Sequence, residues 1–225
     1  MFSVIFEVTP QDGRFEEYLA YAKLLKPELE RIEGFVDNER FSSRRHPGRL
    51  LSHSTWRDEK ALIRWRTHGV HHGIQEKGRF EIFADYHLRV GEIAADTHVP
   101  AGHSIRAQRF DETETGAARV VTIVEILPGD RSQPAEDLVR SETPPIETAG
   151  LIDVDLFDSI YHPGKVLILA SWRDETVLAG AAPSAPGRAG AEGLRRRTVR
   201  IIRDYGMFER REAPQYYPDV VRGTP

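Results

Sequence analysis

The sequence predicts an α+β protein in which one fold is built twice in tandem. The first observation is an internal repeat: RHPGRLLSHSTWRDEKAL at 45–62 aligns with YHPGKVLILASWRDETVL at 161–178 at a constant offset of 116 residues. The second is that alternating apolar segments, typical of strands, flank segments with apolar residues at helical spacing. The third is a polar, turn-rich stretch from Ala95 to Arg119 between the two copies. Together these features predict two similar units joined by a connecting segment.

The first copy begins with a strand, a helix and a pair of strands. SVIFEVTP at 3–10 alternates and is rich in β-branched residues, which favours a strand. Residues 13–32 repeat apolar side chains every three or four positions, which favours a helix. GFVDNERFSS at 34–43 and GRLLSHSTWRD at 48–58 are predicted strands. An HPG turn joins them, because proline fixes one φ angle there and glycine accepts a positive one.

The first copy ends with a second helix and a fourth strand. The helix is predicted from Asp58 or Glu59 to about Arg66, resuming after Gly69, and FADYHLRVGEI at 83–93 is the strand. The resulting order, βαββαβ, is the ferredoxin-like pattern.

This order determines how the two copies are expected to pack. An antiparallel sheet with helices on one face leaves its other face apolar, and a second copy is the obvious cover. We therefore expect two ferredoxin-like repeats packed sheet to sheet as an intramolecular pseudo-dimer. The expected units are a first domain with the active site, a linker, a degenerate repeat and a C-terminal tail, at 1–94, 95–117, 118–215 and 216–225.

Composition excludes several classes of protein. With 40% hydrophobic and 29% charged residues the chain is typical of soluble globular proteins, and no apolar run is long enough to span a bilayer. The absence of cysteine excludes disulfides, thiolate nucleophiles and cysteine metal sites. The N-terminus is interpreted as a strand rather than a signal peptide, which favours the cytoplasm. A net charge of −4 gives no reason to expect nucleic acid or a membrane as partner.

Differences between the copies point to candidate site residues. Features shared by both copies, such as SWRDE with Trp56 and Trp172, are interpreted as requirements of the fold. Residues found only in the first copy are free to form a site: Trp65, His68, His71, His72 and His87. The matching stretch of the second copy is rich in Ala, Gly and Pro, so we expect a loop at 181–194 that covers the pocket.

The segment HGVHHG at 68–73 has three interpretations. On a continuous helix Trp65, His68 and His72 fall on one side, with His71 further round, although Gly69 is expected to weaken that helix. A zinc site is disfavoured because the Glu of an HExxH motif and an evident third ligand are missing, so no metal is expected. An exposed helix end remains an alternative. The third is a substrate or heme pocket with Trp65 as its wall and an imidazole as base or axial ligand.

Glu7 is a second candidate base. It lies on the first strand, on the same face as Ser3 and Ile5, and burial inside a closed sheet would raise the pKa of its carboxyl. The alternative is that Glu7 pairs with an arginine across the sheet, for example Arg89 or Arg210.

The motifs of the first copy resemble a known family. STWRDE at the end of the third strand, Trp65 nine residues after Trp56, then HHG, QEKGRF and DYHLRV, are similar to the antibiotic biosynthesis monooxygenases, which are dimeric α+β barrels. The resemblance is good over 1–93 and weaker over 118–212.

The resemblance implies a monooxygenase that oxidises a small aromatic, phenolic or polyketide-like substrate with O₂, without a required cofactor. Such chemistry needs an apolar cavity, a base and donors for the developing oxyanion. The expected catalytic residues are His72, His71, Glu7 and Arg89. The expected binding residues are Trp65, Trp56, His68, His87 and Arg79.

Two alternative functions and one question of assembly remain open at this point. A heme enzyme would use His71 or His72 near the iron. The heme-degrading branch of the family uses an Asn, a Trp and a His, and this chain matches only the Trp, at Trp65. Glu7 stands in the Asn position, and the His position falls nearer Gln75. A non-catalytic barrel for a small ligand is the second alternative. Exposed strand edges also allow a homodimer of the whole chain.

Overall fold

The computed structural model describes residues 1–127, 135–175 and 193–220. Its first half contains four strands, three helices and a π-helical turn. The strands are β1 (Phe2–Pro10), β2 (Phe35–Ser43), β3 (Leu50–Trp56) and β4 (Phe83–Asp96). The helices are α1 (Phe15–Glu30), α2 (Glu59–Arg66) and α3 (Gly69–Lys77), followed by the π-helical turn Gly78–Ile82.

The described part of the second half contains four strands and one helix. Its strands are β5 (Val120–Ile126), β6 (Leu151–Ser159), β7 (Val166–Trp172) and β8 (Leu194–Gly206), and its helix is α4 (Ala135–Glu142). The predicted loop at 181–194 lies outside the described residues except for its last two positions, of which Leu194 begins β8.

The eight strands form one closed antiparallel barrel in the order β1-β3-β2-β6-β7-β5-β8-β4. Within each half the order is that of a ferredoxin-like sheet, and the halves join along two seams. At the long seam β4 pairs with β8 from His87↔Gly206 to Asp96↔Arg197, and at the short seam three residues of β2 pair with β6. The predicted fold class is confirmed: two repeats pack sheet against sheet, and their edge strands also close the barrel.

The two faces of the sheet have different surroundings. The interior contains a core shared by both halves, in which Ile5 and Leu51 of the first half meet Ile123 and Leu169 of the second. The outer face of the first half is covered by its own helices. Phe2 and Trp56 of the sheet pack there against residues of α1 and α2. Because side chains alternate along a strand, each residue of β1 belongs to one face or the other.

The connecting segment contains no helix or strand between Asp96 and Val120. It lies against the barrel, where Glu92 accepts a hydrogen bond from the backbone N–H of Gln108 and Thr113 donates its N–H to the carbonyl of Ile201. The domain boundaries predicted at 94 and 118 fall close to the ends of the adjoining strands and stay a prediction. Among the described residues no helix has both the length and the apolar character that crossing a bilayer requires.

Candidate active site

The described residues enclose a pocket on the outer face of the first half, between the sheet and its helices. Its volume is about 210 Å³. Apolar side chains of β1 and β4 form the floor, α1 forms one side, and Trp65, His71 and Ile74 of α2 and α3 form another. The apolar lining includes Val4, Phe6, Leu25, Leu29, Leu62, Phe83, Leu88 and Val90. A small cavity of this kind, apolar with a few polar groups, is typical of a site for a small molecule.

A break between two helices places the histidines. The Asp58 side chain caps the start of α2 by accepting a hydrogen bond of 2.8 Å from the N–H of Ala61. α2 ends at Arg66, His68 takes an extended conformation, and α3 begins at Gly69. The prediction that the helix resumes after Gly69 is confirmed. The helix is not continuous, so the grouping of Trp65, His68 and His72 on one side, which holds only for a continuous helix, does not apply.

His71 is the histidine that this break brings into the pocket. Its ring stacks on the Trp65 indole at 4.1 Å between centroids, with 14° between the planes. Its Nδ1 lies 2.9 Å from the Trp65 carbonyl oxygen. Since a carbonyl only accepts, Nδ1 holds the proton and Nε2 has the free lone pair. No described residue bonds Nε2, so it is available to a ligand.

The environment of His71 keeps its ring neutral. Burial lowers the pKa of His71 to about 4, outweighing the hydrogen bond to the Trp65 carbonyl, which raises it. The charges of His68, His72 and Arg40 lower this pKa further. At neutral pH the imidazole is therefore a proton acceptor.

The other two histidines of the cluster lie outside the pocket. His68 stands at the start of α3, with its ring 5.8 Å from Trp65 and its Nε2 3.9 Å from a carboxylate oxygen of Glu28. His72 is exposed and stacks on Tyr217, whose hydroxyl lies 3.2 Å from its Nδ1. The structure thus separates His71 from His72, which the sequence treated as equivalent candidates.

Five arginines line the pocket, from both halves of the chain: Arg40, Arg66, Arg79, Arg203 and Arg210. The lining also includes one carboxylate, Glu59, which is held by Arg109 at 2.6 and 2.8 Å. Within the described residues none of the five arginines has a carboxylate oxygen within 4.0 Å. The pocket is therefore apolar in its walls and positive in its charge.

Two tyrosines lie at the β4 and β8 side of the pocket. The Tyr86 hydroxyl accepts hydrogen bonds from Arg210 at 2.5 Å and Arg79 at 3.3 Å. Tyr205 is buried, and burial raises the pKa of its phenol to about 12, so it stays protonated. Both phenols can stabilise an oxyanion by donation only while they keep their protons.

The C-terminal segment closes one side of the pocket. Pro214, Gln215 and Tyr217 belong to its lining. The segment is held by hydrogen bonds to its backbone: Arg210 donates to the carbonyl of Gln215 at 2.8 Å, and Arg79 to that of Pro218 at 3.0 Å. Tyr217 also lies within reach of the Arg210 guanidinium, 5.3 Å from the ring centroid.

Three of the predicted site residues lie on the opposite face of the sheet. Glu7, His87 and Arg89 are neighbours on β1 and β4 and point into the barrel, whereas Phe6 and Leu88 point into the pocket. Arg89 donates to Glu7 at 2.6 Å, as the alternative interpretation of Glu7 expected. Arg89 also donates to Ser171 of the second half at 2.7 Å. The bond to Ser171 joins the halves, and Glu7 and Arg89 do not line the pocket.

The expectation of a raised pKa for Glu7 is wrong. Burial does raise it, but the neighbouring His87 imidazole, 3.7 Å away, and the Arg89 guanidinium outweigh burial and lower the pKa to about 2. His87 is affected in the opposite sense: burial lowers its pKa, but Asp204, at 2.6 Å, and Glu7 raise it overall. Glu7 is therefore a fixed anion and a poor base at neutral pH.

Trp56 and Arg79 complete the predicted set. Trp56 is fully buried beneath the helices, bonds Ser54 through its N–H at 2.9 Å and does not line the pocket. Arg79 does line the pocket, but two of its nitrogens are engaged by backbone carbonyls of Met207 and Pro218. Its main contacts therefore hold the C-terminal segment.

The sequence-based prediction missed the residues that the outer face brings together, chiefly Arg66, Tyr86, Tyr205 and Tyr217. The signal was available for Tyr86, which shares the alternation of Leu88 and Val90 on β4. No signal was available for Tyr205 and Tyr217, because only closure of the barrel places the second half beside this pocket.

Comparison with known proteins agrees with this architecture. The family model for antibiotic biosynthesis monooxygenase matches residues 1–77. A protein described as "Jasmonate monooxygenase ABM" from Pyricularia oryzae is 42% identical over 223 residues, covering 97% of this chain and 99% of its own length. The chain belongs to the antibiotic biosynthesis monooxygenase family. It is an oxidoreductase, and monooxygenases of this family generally need no cofactor. This relationship favours an enzyme over the non-catalytic barrel.

Solved structures share the fold. Aldoxime dehydratase in complex with butyraldoxime superposes with a TM-score of 0.53 at 11% identity, covering 89% of this chain and 79% of that one. At this identity the likeness extends to the fold alone.

Proposed function

We propose that this family member oxidises a small, largely apolar molecule with O₂ in the pocket on the outer face of the first half, and that His71 is the base. The observation that supports this most directly is the state of His71: it lines the pocket, it is neutral, the Trp65 carbonyl orients it, and no described residue bonds its Nε2. The substrate class that fits this base has a phenolic or enolisable group, because its proton can pass to an imidazole.

The proposed reaction begins with proton transfer to Nε2 of His71. The electron-rich substrate anion then reacts with O₂. For a methylene group converted to a carbonyl the balance is CH₂ + O₂ → C=O + H₂O, so the substrate supplies all four electrons and no reductant is needed. The apolar walls exclude water, and the arginines and phenols of the pocket stabilise the anion.

The decisive experiment measures oxygen uptake with an anthrone and with jasmonate for the wild type, His71→Ala and His72→Ala. His72 is a matched control, because it is the next residue on the same helix but lies outside the pocket. We expect kcat/KM to fall roughly 100- to 10,000-fold in His71→Ala and to change little in His72→Ala. Unfolding by urea checks that both variants are folded. Equal activity of folded His71→Ala and wild type contradicts the proposal.

The pH profile gives an independent test. Because kcat/KM reports the ionisation of the free enzyme, its acid limb is expected near pH 4, the pKa of His71, and not near 6.5.

Heme binding through His71 is the alternative. The donor fits, since a neutral imidazole with a free Nε2 is an axial ligand for heme iron. The volume of about 210 Å³ favours a small molecule over a porphyrin. Addition of hemin separates the two: a sharp Soret band that is lost in His71→Ala supports heme, and an unchanged spectrum at stoichiometric hemin supports the substrate pocket.

A further inference from the structure

Positive charge without a counterion is the least expected property of the pocket. A partly buried guanidinium normally has a carboxylate or a set of carbonyls around it, because charge is costly to remove from water. The five arginines of the lining have no carboxylate partner among the described residues, and Glu59 is already engaged by Arg109. The pocket therefore favours a ligand that brings its own negative charge.

Two of the five arginines, Arg66 and Arg203, have side chains that no described group engages. Arg79 and Arg210 donate to carbonyls and to Tyr86, and Arg40 donates to Asn38 at 3.0 Å. By contrast, no hydrogen bond or ion pair within the described chain involves the side chain of Arg66 or of Arg203. Of these two, Arg66 has a buried Nε without a partner.

The position of Arg66 suits a ligand held against Trp65. Both are at the end of α2 and both line the pocket. The backbone carbonyl of Arg66 accepts a hydrogen bond of 3.4 Å from Gln215 of the C-terminal segment. The C-terminal segment thus contacts the backbone of Arg66, while the guanidinium has no bonded partner among the described residues.

We propose that Arg66 anchors the carboxylate of the substrate, so that the enzyme selects apolar carboxylic acids over their esters. This rests on the proposed function, since it concerns the same pocket. The planar guanidinium matches a carboxylate through two parallel hydrogen bonds. A carboxylate suits the site better than a phosphate group, because one negative charge is easier to bring into a small apolar cavity than nearly two. Jasmonate, which the relative's description names, is a compact apolar molecule with one carboxylate.

The test is a binding measurement that needs no turnover. Calorimetric titration under nitrogen compares jasmonate with methyl jasmonate, which has the same skeleton without the charge. The proteins are the wild type, Arg66→Gln, Arg66→Lys and Arg64→Gln. Arg64 is the matched control, because it lies on the same helix but is 3.8 Å from Glu33 at the surface and does not line the pocket.

We expect the wild type to bind jasmonate roughly 10- to 100-fold more tightly than its methyl ester. Arg66→Gln should lose this preference, Arg66→Lys should keep part of it, and Arg64→Gln should keep all of it. Thermal unfolding is expected to be unchanged in Arg66→Gln, since the side chain bonds nothing in the described chain.

The proposal is overturned if the wild type shows no preference for the acid, or if Arg66→Gln retains the preference. These failures are separate from a failure of the proposed function, which is measured by oxygen uptake and by His71→Ala. An enzyme that oxidises acid and ester equally well through His71 would refute the anchor and leave the base in place.

Discussion

Replacing Glu7 by Gln tests whether the interior of the barrel is structural or catalytic. Glu7 is nearly isosteric with Gln, accepts a hydrogen bond of 2.6 Å from Arg89 and lies 3.7 Å from His87. The substitution removes the negative charge that Arg89 faces and leaves this buried guanidinium without a carboxylate, whereas His87 keeps Asp204. It should therefore lower the free energy of unfolding without altering the pocket, which lies on the other face of the sheet.

The expected magnitude follows from the pKa of Glu7. Folding lowers this pKa from 4.5 to about 2, and a change of one in pKa corresponds to about 1.36 kcal/mol. The ionised carboxylate thus contributes about 3 kcal/mol to stability at pH 7, in line with the roughly 3–5 kcal/mol that breaking a buried ion pair costs. For a chain of 225 residues this corresponds to a fall in Tm of roughly 6–12 °C.

The pH dependence has a definite sign. Because folding lowers the pKa of an acid, its stabilising contribution is present above pH 4.5 and is lost as the pH falls through about 2. The difference in unfolding free energy between wild type and Glu7→Gln should be largest near pH 7, shrink below pH 4.5 and be nearly absent by about pH 2.

The assay is urea unfolding at several pH values, together with oxygen uptake at pH 7. Glu30→Gln is the control, since Glu30 is an exposed residue 3.7 Å from Lys26 and should contribute under about 1 kcal/mol. A Glu7→Gln protein as stable as wild type refutes the argument from the ion pair. A stable variant that loses turnover would show that Glu7 acts in the reaction after all.

Two further substitutions test the barrel seam and the C-terminal segment. Gly91→Ala should destabilise the protein by roughly 1–3 kcal/mol in urea unfolding, because the new Cβ would lie closer than 3.0 Å to Val199 and to the Arg200 carbonyl. Gly73→Ala is the control and should not destabilise the protein, since no atom lies within 4 Å of the new Cβ. Equal effects of the two substitutions would contradict tight packing at the seam. Tyr217→Ala should raise KM about 2- to 10-fold, because it removes part of the pocket wall. Tyr216 is 90% exposed, so Tyr216→Ala should leave KM unchanged. Identical kinetics of the two variants would count against a closing role for the C-terminal segment.

Much of the fold was predictable because it depends on local pattern. The alternation in β1, the helical spacing in α1 and the turn at His46 to Gly48 are all visible in the sequence, and the repeat predicts that two such units pack together. The position of the break after α2 was predictable from Gly69, but the direction of the following helix, α3, was not. That direction decides that His71, and not His72, faces the pocket, and it depends on long-range contacts such as the one between His72 and Tyr217.

The candidate site was only partly predictable for a related reason. Alternation along the strand predicts that Glu7 and Phe6 lie on opposite faces of β1, but it does not predict which face encloses a pocket. We expected the closed interior to do so. In the structure the interior is filled by the shared core and by polar contacts between the halves, such as the hydrogen bond from Arg89 to Ser171. The pocket is formed on the outer face under the helices.

The asymmetry between the halves follows from the way the barrel is closed. Both repeats must keep their inward residues, since each interior side chain packs against the other half, as Ile5 does against the core of the second repeat. The outward layer has no such constraint, because the strands alone close the barrel and the helices of the first half are free to enclose a pocket there. The long seam nevertheless places β8 beside β4, and the outward residues Arg203 and Tyr205 then extend the pocket of the first half. The degenerate repeat thus both closes the barrel and supplies part of the pocket wall, which a single repeat could not form alone.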